Sequence, residues 1–196
     1  AGDLVYENLK SIGVNIELIG VDEIGDDDLD RFDTIIMGIR AFNIHNELKS
    51  KNVLLFDYVK RGGNLLIQYN TTRNLLTSKL TPFYLNLSRD RVTEEDSTVK
   101  ILNPLHRALN FPHKITSEDF ENWVQERGLY FPNKWDKNFI PMLSMNDKNE
   151  EEKLGSLLIG NHGEGKIIYT GLSFFRQIPS GVTGAYRLLM NLISLE

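Results

Sequence analysis

A strand–helix–strand pattern in residues 34–67 constrains the fold more than any other feature of this sequence. Residues 34–38 and 65–67 are apolar runs, typical of strands covered on both faces. Between them, residues 46–60 carry an apolar stripe at helical spacing and are followed by Gly62-Gly63, which favours a helix end. Two strands joined in this way run parallel with a right-handed crossover, so the pattern predicts a βαβ unit.

The regular segments outside this unit extend the fold prediction. Residues 5–12 have helical spacing, and residues 14–18 alternate like a half-buried strand. Residues 156–170 read as a hairpin around a glycine-rich turn, and residues 185–193 present one apolar helix face. We predict a three-layer α/β/α, flavodoxin-like fold with a mostly parallel sheet, whose first strand lies upstream of the chain given.

The middle of the chain differs from both ends. Residues 70–138 show weak periodicity and are rich in Asn, Thr, Pro, Arg and aromatic residues. Long irregular segments in compact domains are usually functional or disordered, and the aromatic content favours order. We interpret this stretch as a long-loop insertion with short strands, such as one at 99–102, within a single domain covering residues 1–196.

Composition excludes several classes of protein. A net charge of −5 argues against a general nucleic-acid binder. No apolar run approaches the ~18 residues of a membrane span. The absence of cysteine excludes disulfides, thiolate nucleophiles and cysteine zinc sites. We therefore expect no nucleic-acid or membrane partner, no metal and no cofactor.

Three chemical motifs are present only in part. Residues 160–166 match a phosphate loop, but Ile167 stands where Ser or Thr is needed, and the composition favours a plain hairpin turn. Ser173 resembles an elbow nucleophile, but Phe175 takes the place of the second glycine, which favours an ordinary turn. No zinc-binding spacing occurs among the histidines, which are His45, His106, His113 and His162.

Polar and aromatic side chains follow the predicted strands where each one ends. In an open parallel sheet these ends share one edge, and ligands bind there. Arginines at that edge are suited to an anion, a sugar acid or a partner's carboxylates. Alternatively, they pin the long loops by pairing with Asp90, Glu121, Glu126 and Asp136. The candidate binding residues are Arg40, Asn43, Gln68, Tyr69, Asn70, Arg89, Asp90, Arg91, Trp123, Glu126, Arg127, Tyr130 and Arg176.

Five blocks of sequence resemble one bacterial family. The blocks are residues 38–43, 62–71, 89–93, 123–131 and 169–176; W-V-Q-E-R-G-L-Y-F at 123–131 and R-D-R-V-T at 89–93 are the most specific. Over essentially its whole length the chain resembles the C-terminal region of large bacterial PIG-L/LmbE-type de-N-acetylases. The resemblance implies a class I glutamine-amidotransferase-like domain that follows an N-terminal zinc-dependent deacetylase domain.

The resemblance implies a fold and a context but no reaction for this chain. The zinc motif of the deacetylase is absent, and so is the amidotransferase cysteine, which would fall near residues 68–71. Thr71 stands there, without a histidine nearby in sequence to activate it. We expect a non-catalytic accessory domain whose partners are the upstream deacetylase domain and a carbohydrate or small polar ligand.

The alternative is a stand-alone hydrolase. In that reading, Asp90 or Glu126 at the strand ends acts as general base. The resemblance also implies a bacterial protein, for which the periplasm or the cell exterior is a candidate location. The sequence leaves the compartment open.

Overall fold

The computed structural model describes residues 3–25 and 28–195. The strands are β1 (Thr34–Met37), β2 (Asn64–Ile67), β3 (Leu85–Val92), β4 (Lys100–Ile101), β5 (Gly128–Trp135), β6 (Phe139–Pro141), β7 (Leu143–Ser144), β8 (Leu157–His162) and β9 (Gly165–Thr170). The α-helices are α1 (Val5–Ser11), α2 (Ala41–Ile44), α3 (Leu48–Lys60), α4 (Phe174–Gln177) and α5 (Thr183–Ile193). Single 3₁₀ turns lie at Leu29–Arg31, Arg107–Leu109 and Ser117–Phe120. Among the described residues, no helix is both long enough and apolar enough to cross a bilayer.

The central sheet has five strands in the order β1-β2-β9-β8-β6. β1 and β2 pair in parallel with α3 between them in sequence, so the predicted βαβ unit is confirmed. β2 also pairs in parallel with β9, which places Ile35, Leu65 and Ile167 side by side across three strands. The carboxyl ends of β1, β2 and β9 therefore meet at one edge of the sheet.

The expectation of a mostly parallel, three-layer flavodoxin-like fold is wrong. β8 runs antiparallel to β9, and β6 runs antiparallel to β8, so half of the central sheet is antiparallel. Two smaller antiparallel sheets, β3–β5 and β4–β7, lie outside it. The reason is the predicted hairpin itself: a tight turn at 163–164 reverses the chain, whereas a parallel pair needs a crossover of a dozen or more residues.

The turn of this hairpin requires glycine. Gly163 has a φ of 64°, and a Cβ there would lie 2.5 Å from the carbonyl oxygen of Lys60. A side chain at this position would therefore be strained and would also collide with the end of α3. The strands predicted at 156–159 and 167–170 are confirmed as β8 and β9.

The strand predicted at residues 14–18 does not form. A groove of about 330 Å³ lies between residues 15–19 and the outer edge of β1, so the two segments do not pair. Val14 and Ile16 nevertheless pack against the core that contains α1 and α5. The alternating pattern thus reflects burial of one face without a hydrogen-bonded ladder.

The core has two parts, one on each face of the central sheet. Successive residues of a strand face opposite sides, so Leu66 and Leu65 enter different clusters. The Leu66 cluster includes α1, α5 and much of the middle region, defined here as residues 70–138. The Leu65 cluster includes α2 and α3.

The middle region is more ordered than a set of loops. β3 and β5, each eight residues long, form a two-stranded sheet, while the strand predicted at 99–102 is only two residues long, as β4. Phe131 on β5 is fully buried in the core that it shares with Leu66. The region is therefore packed into the core on the Leu66 face of the sheet.

Candidate functional site

The site lies where β1, β2 and β9 end and the β3–β5 sheet covers them. Arg40 follows β1 in a left-handed conformation, with φ 59° and ψ 18°. Its backbone N–H donates to the carbonyl oxygen of Tyr69, 2.8 Å away, which ties the end of β1 to the end of β2. Left-handed non-glycine residues are uncommon, and such strain is concentrated at functional positions.

Three aromatic rings meet at this edge. The Tyr69 ring stacks on that of Tyr130, with centroids 6.1 Å apart and planes 9° apart. Phe175 packs against the same Tyr69 ring at 5.1 Å and 46°. Tyr69 is almost fully buried, whereas Tyr130 and Phe175 are half-buried and leave part of their surface accessible.

β-bulges aim side chains into the site. Leu87 pairs with Pro132 and Asp90 pairs with Phe131, so Ser88 and Arg89 are extra residues on β3. On β5, Asn133 and Tyr130 are the extra residues, and Tyr130 has a φ of 53°. Bulges bend a strand and redirect its side chains, which makes them common near active sites.

A pocket opens beside the aromatic rings. Its volume is about 420 Å³, within the range of small-molecule sites, and it is lined by Arg89, Arg91, Glu126, Leu129 and Tyr130. We call this pocket, together with Arg40, Tyr69, Phe175 and Arg176, the strand-end site.

Charges converge on the Tyr69 hydroxyl. Burial raises the pKa of Tyr69; the nearby charges of Arg40 and Arg176 oppose this rise, and that of Glu126 adds to it. Glu126 accepts a hydrogen bond from Arg176, with 2.6 Å between Oε1 and Nε. The guanidinium of Arg176 also lies over the Phe175 ring, 4.8 Å from its centroid.

Three arginines of the site stand without a partner. Within residues 3–25 and 28–195, no side chain or carbonyl accepts a hydrogen bond from the guanidinium of Arg40, Arg89 or Arg91. All three residues are exposed. Of the pairings considered for the arginines and loop carboxylates, Arg176–Glu126 is formed.

Three predicted binding residues are instead engaged in holding the backbone. The Asn70 side chain accepts from the Phe42 N–H at 2.9 Å and donates to the Gln68 carbonyl at 3.0 Å. Asn43 donates to the carbonyls of Thr71 and Arg73 and accepts from the Thr71 N–H. Gln68 is buried and donates to the Met37 carbonyl at 3.4 Å and to the Asp3 carboxylate at 3.3 Å.

Three further candidates do not line the pocket. Trp123 is buried in the core and donates to the Asp119 carbonyl at 2.9 Å. The buried guanidinium of Arg127 donates to the carbonyl oxygens of Ser97 and Phe120. Asp90 is half-buried on β3 between the two pocket arginines and does not line the pocket. Because Trp123 is buried, it cannot offer an open ring face to a ligand.

The hydroxyls considered as nucleophiles are engaged elsewhere. Ser173 is fully buried; its Oγ lies 2.6 Å from the Glu126 carbonyl, to which it donates, and accepts from Gln177 at 2.9 Å. The Thr71 hydroxyl donates to the Arg73 carbonyl at 2.9 Å. Neither hydroxyl forms a hydrogen bond with a histidine in the part of the chain that the structure describes, and no cluster of metal-binding side chains occurs there.

Sequence reasoning missed Phe175 and Leu129 as members of the site. Phe175 lies in the incomplete elbow motif at Ser173 and in the block at 169–176, and Leu129 lies within the block at 123–131. A signal existed for Phe175, since it follows a predicted strand in the same way as Arg176 does. Nothing in the sequence indicated that β5 would lie across the end of β2.

Comparisons with known proteins identify the fold. No family model matches the chain, and no curated protein matches it. A cytoplasmic protein from Salmonella typhimurium LT2 is similar in structure, with a TM-score of 0.61 and 15% identity over 98% of this chain and 86% of that one. A putative ThuA-like protein from Bacteroides uniformis is similar with a TM-score of 0.55 and 13% identity, over 95% of this chain and 80% of that one.

The same architecture also occurs within a larger enzyme. A β-galactosidase from Bacillus circulans matches with a TM-score of 0.58 and 11% identity, over 95% of this chain but 25% of that chain. At these identities the likeness establishes a shared fold and nothing about ligands. The mixed sheet is thus an architecture found both in small proteins and as part of a glycosidase.

Proposed function

We propose that this domain binds a small polar ligand, of the carbohydrate class, at the strand-end site and does not itself catalyse a reaction. The observation that carries the proposal is the Tyr69–Tyr130–Phe175 cluster beside a pocket of about 420 Å³. Ligand sites combine aromatic walls with a few convergent polar groups. This pocket has both, and four of its lining residues belong to the paired strands β3 and β5.

The two kinds of lining group suit the two faces of a sugar. The half-buried Tyr130 ring offers a flat apolar surface for the C–H face of a pyranose, and stacking on Tyr69 keeps that ring in place. Guanidinium donors from Arg89 and Arg91 lie in the same pocket and suit hydroxyl or carboxylate oxygens. Binding would therefore need little rearrangement of the protein.

The proposal of a non-catalytic role rests on the state of the candidate nucleophiles and bases. The hydroxyls of Ser173 and Thr71 donate hydrogen bonds to backbone carbonyls. Glu126 is the carboxylate of the pocket, and its Oε1 accepts a hydrogen bond from Arg176. The Arg176–Glu126 pair and the absence of Asp90 from the pocket lining weigh against the stand-alone hydrolase, in which Glu126 or Asp90 acts as general base.

An accessory role in a larger protein is supported by one comparison. The Bacillus circulans β-galactosidase carries this fold in about a quarter of its length, so the fold is compatible with a place beside a catalytic domain. That the neighbouring domain here is a zinc-dependent de-N-acetylase is proposed on the sequence resemblance alone.

Titration of the ¹⁵N-labelled domain with a panel of hexoses, N-acetylhexosamines and hexuronic acids tests the binding proposal. We expect at least one sugar to shift amide signals around Tyr69 and Tyr130, and Tyr130→Ala to weaken its binding at least tenfold. Tyr84→Ala is the matched control, because Tyr84 is 60% exposed and does not line the pocket.

Two results would contradict the proposal. One is an absence of shifts at the strand-end site with every sugar of the panel. The other is turnover of a sugar or acetylated sugar by the isolated domain that Glu126→Gln abolishes, which would establish the hydrolase instead.

A further inference from the structure

We infer that the ligand of the strand-end site carries an oxyanion, a carboxylate such as that of a hexuronic acid, gripped between Arg89 and Arg91. This inference rests on the proposed function, because it specifies the ligand of the same pocket. The inference rests on the charges of the two arginines, whereas the proposed function rests on the aromatic cluster. The two are therefore supported by separate observations.

The position of the two arginines is set by the backbone. Arg89 belongs to the bulge of β3, and Arg91 pairs with Leu129 beyond it. In a regular strand residues i and i+2 share a face, and here both side chains line one pocket while the residue between them, Asp90, does not. The strand therefore directs two cations into the pocket and keeps the intervening carboxylate out of it.

The charge in the pocket is left uncompensated by the protein. Among the five lining residues, the carboxylate is that of Glu126, which is already bonded to Arg176. Arg89 and Arg91 have no acceptor within the described part of the chain. This local excess of positive charge occurs in a chain whose net charge is −5. A bound anion would relieve the repulsion between the two guanidinium groups.

Guanidinium groups recognise oxyanions through paired hydrogen bonds. The planar fork of arginine matches a carboxylate or a phosphate with two parallel N–H donors, and two arginines provide two such forks. A ring that stacks on Tyr130 and carries such a group next to it would satisfy both parts of the pocket. A hexuronate and a sugar phosphate share this chemistry.

Calorimetric titration with D-galacturonate and its methyl ester tests the inference, because the pair differs in one charge. We expect the acid to bind at least tenfold more tightly at low salt, and this preference to shrink as salt is added, since partly exposed charges are screened. Arg89→Gln and Arg91→Gln should each remove most of the preference, because they weaken binding of the acid far more than binding of the ester. Arg61→Gln is the control, since Arg61 is a similarly exposed arginine that pairs with Asp30 outside the site.

The outcomes separate the inference from the proposed function. If ester and acid bind equally, and the arginine variants change neither, the oxyanion grip is wrong while carbohydrate binding stands. If neither compound nor any sugar of the panel binds, both fail. A sugar phosphate that binds more tightly than galacturonate, with the same dependence on Arg89 and Arg91, supports the oxyanion grip and assigns it to phosphate. Circular dichroism of each variant verifies that it is folded.

Discussion

The parallel part of the sheet and the middle region are stabilised in different ways. β1, β2 and β9 are joined by continuous backbone ladders, and Leu65, Leu66 and Ile167 are completely buried. The middle region has irregular strand pairing and is fixed by polar side chains that bond to backbone groups. In regular strands the ladder itself pairs the backbone N–H and C=O groups. In an irregular layer those groups need side-chain partners at particular positions.

Four buried polar side chains, called clamps here, hold the middle region by hydrogen bonds to its backbone. Asn191 on α5 donates to the carbonyls of Ala108 and His113 and accepts from the His113 N–H. Gln177 on α4 bonds to both backbone groups of Val124. The Asp147 carboxylate accepts from Thr93 and Glu94, and Arg127 spans Ser97 and Phe120. Each clamp attaches a turn that would otherwise leave backbone groups unpaired.

The strand-end site lies at the junction of these two parts. Tyr69 comes from the parallel part and Tyr130 from the middle region, and they stack on each other. The site therefore exists only if the middle region is docked, which makes ligand binding a readout of its integrity.

The largest expected effect comes from deleting core volume on each side of the junction. Leu66→Ala and Phe131→Ala should each lower the free energy of unfolding by about 3–5 kcal/mol, since both residues are fully buried. Both belong to one cluster, so urea denaturation followed by circular dichroism and by tryptophan fluorescence should give one coincident transition. A separate early transition in Phe131→Ala alone would show that the middle region unfolds independently.

An intermediate effect is expected from Arg127→Met. The substitution keeps much of the side-chain volume but leaves the carbonyls of Ser97 and Phe120 without their donor, which should cost about 2 kcal/mol. Arg91→Met is the matched control; its exposed side chain should change stability by less than about 0.5 kcal/mol. Urea denaturation measures both variants. If Arg127→Met and Arg91→Met lowered the free energy of unfolding equally, Arg127 would have no special role in holding the middle region.

The smallest effect, on the order of 1 kcal/mol, is expected from acid. Burial raises the pKa of Asp147, but hydrogen bonds from Glu94 and Thr93 outweigh it, so the pKa lies below its usual 3.8. A lowered folded-state pKa gives stability that is present above the unfolded value and lost as pH falls through the folded one. Burial likewise lowers the pKa of His106 below 6.5, so the stability linked to its neutral imidazole is also lost as pH falls.

The urea midpoint should therefore decline below pH 6.5 and again below pH 3.8. Asp147→Asn should weaken the second decline and leave the first intact, because His106 is unchanged. A midpoint that stays flat from neutral pH down to the acid limit would contradict both assignments.

The sequence predicted the parallel part well because its signals are local. Apolar runs, the stripe of α3 and the double glycine identified β1, α3 and β2, and glycine composition identified the β8–β9 hairpin. Asp28 caps the 3₁₀ turn at Leu29–Arg31, since its side chain accepts a hydrogen bond from the Asp30 N–H at 3.1 Å. The mixed direction of the sheet was missed, although the predicted hairpin already required one antiparallel pair.

Within the site, the sequence placed polar side chains near the strand ends but did not separate their roles. Asn43 and Asn70 carry the same functional groups that a binding site would use, yet they bond to backbone groups of their own loops. Arg127 and Arg91 both belong to the quoted sequence blocks, yet one is buried and the other lines the pocket. Residue type and position along the chain do not distinguish these cases.

What the sequence determined by itself was the order of buried strands and helices and the absence of a thiolate, because periodicity and composition are properties of short segments. Only the tertiary structure decided which arginines remain unpaired, how Tyr130 comes to lie on Tyr69, and that β3 and β5 cover the strand ends. These depend on bulges and on contacts between residues far apart in the chain. Their energies arise only after the layers have packed.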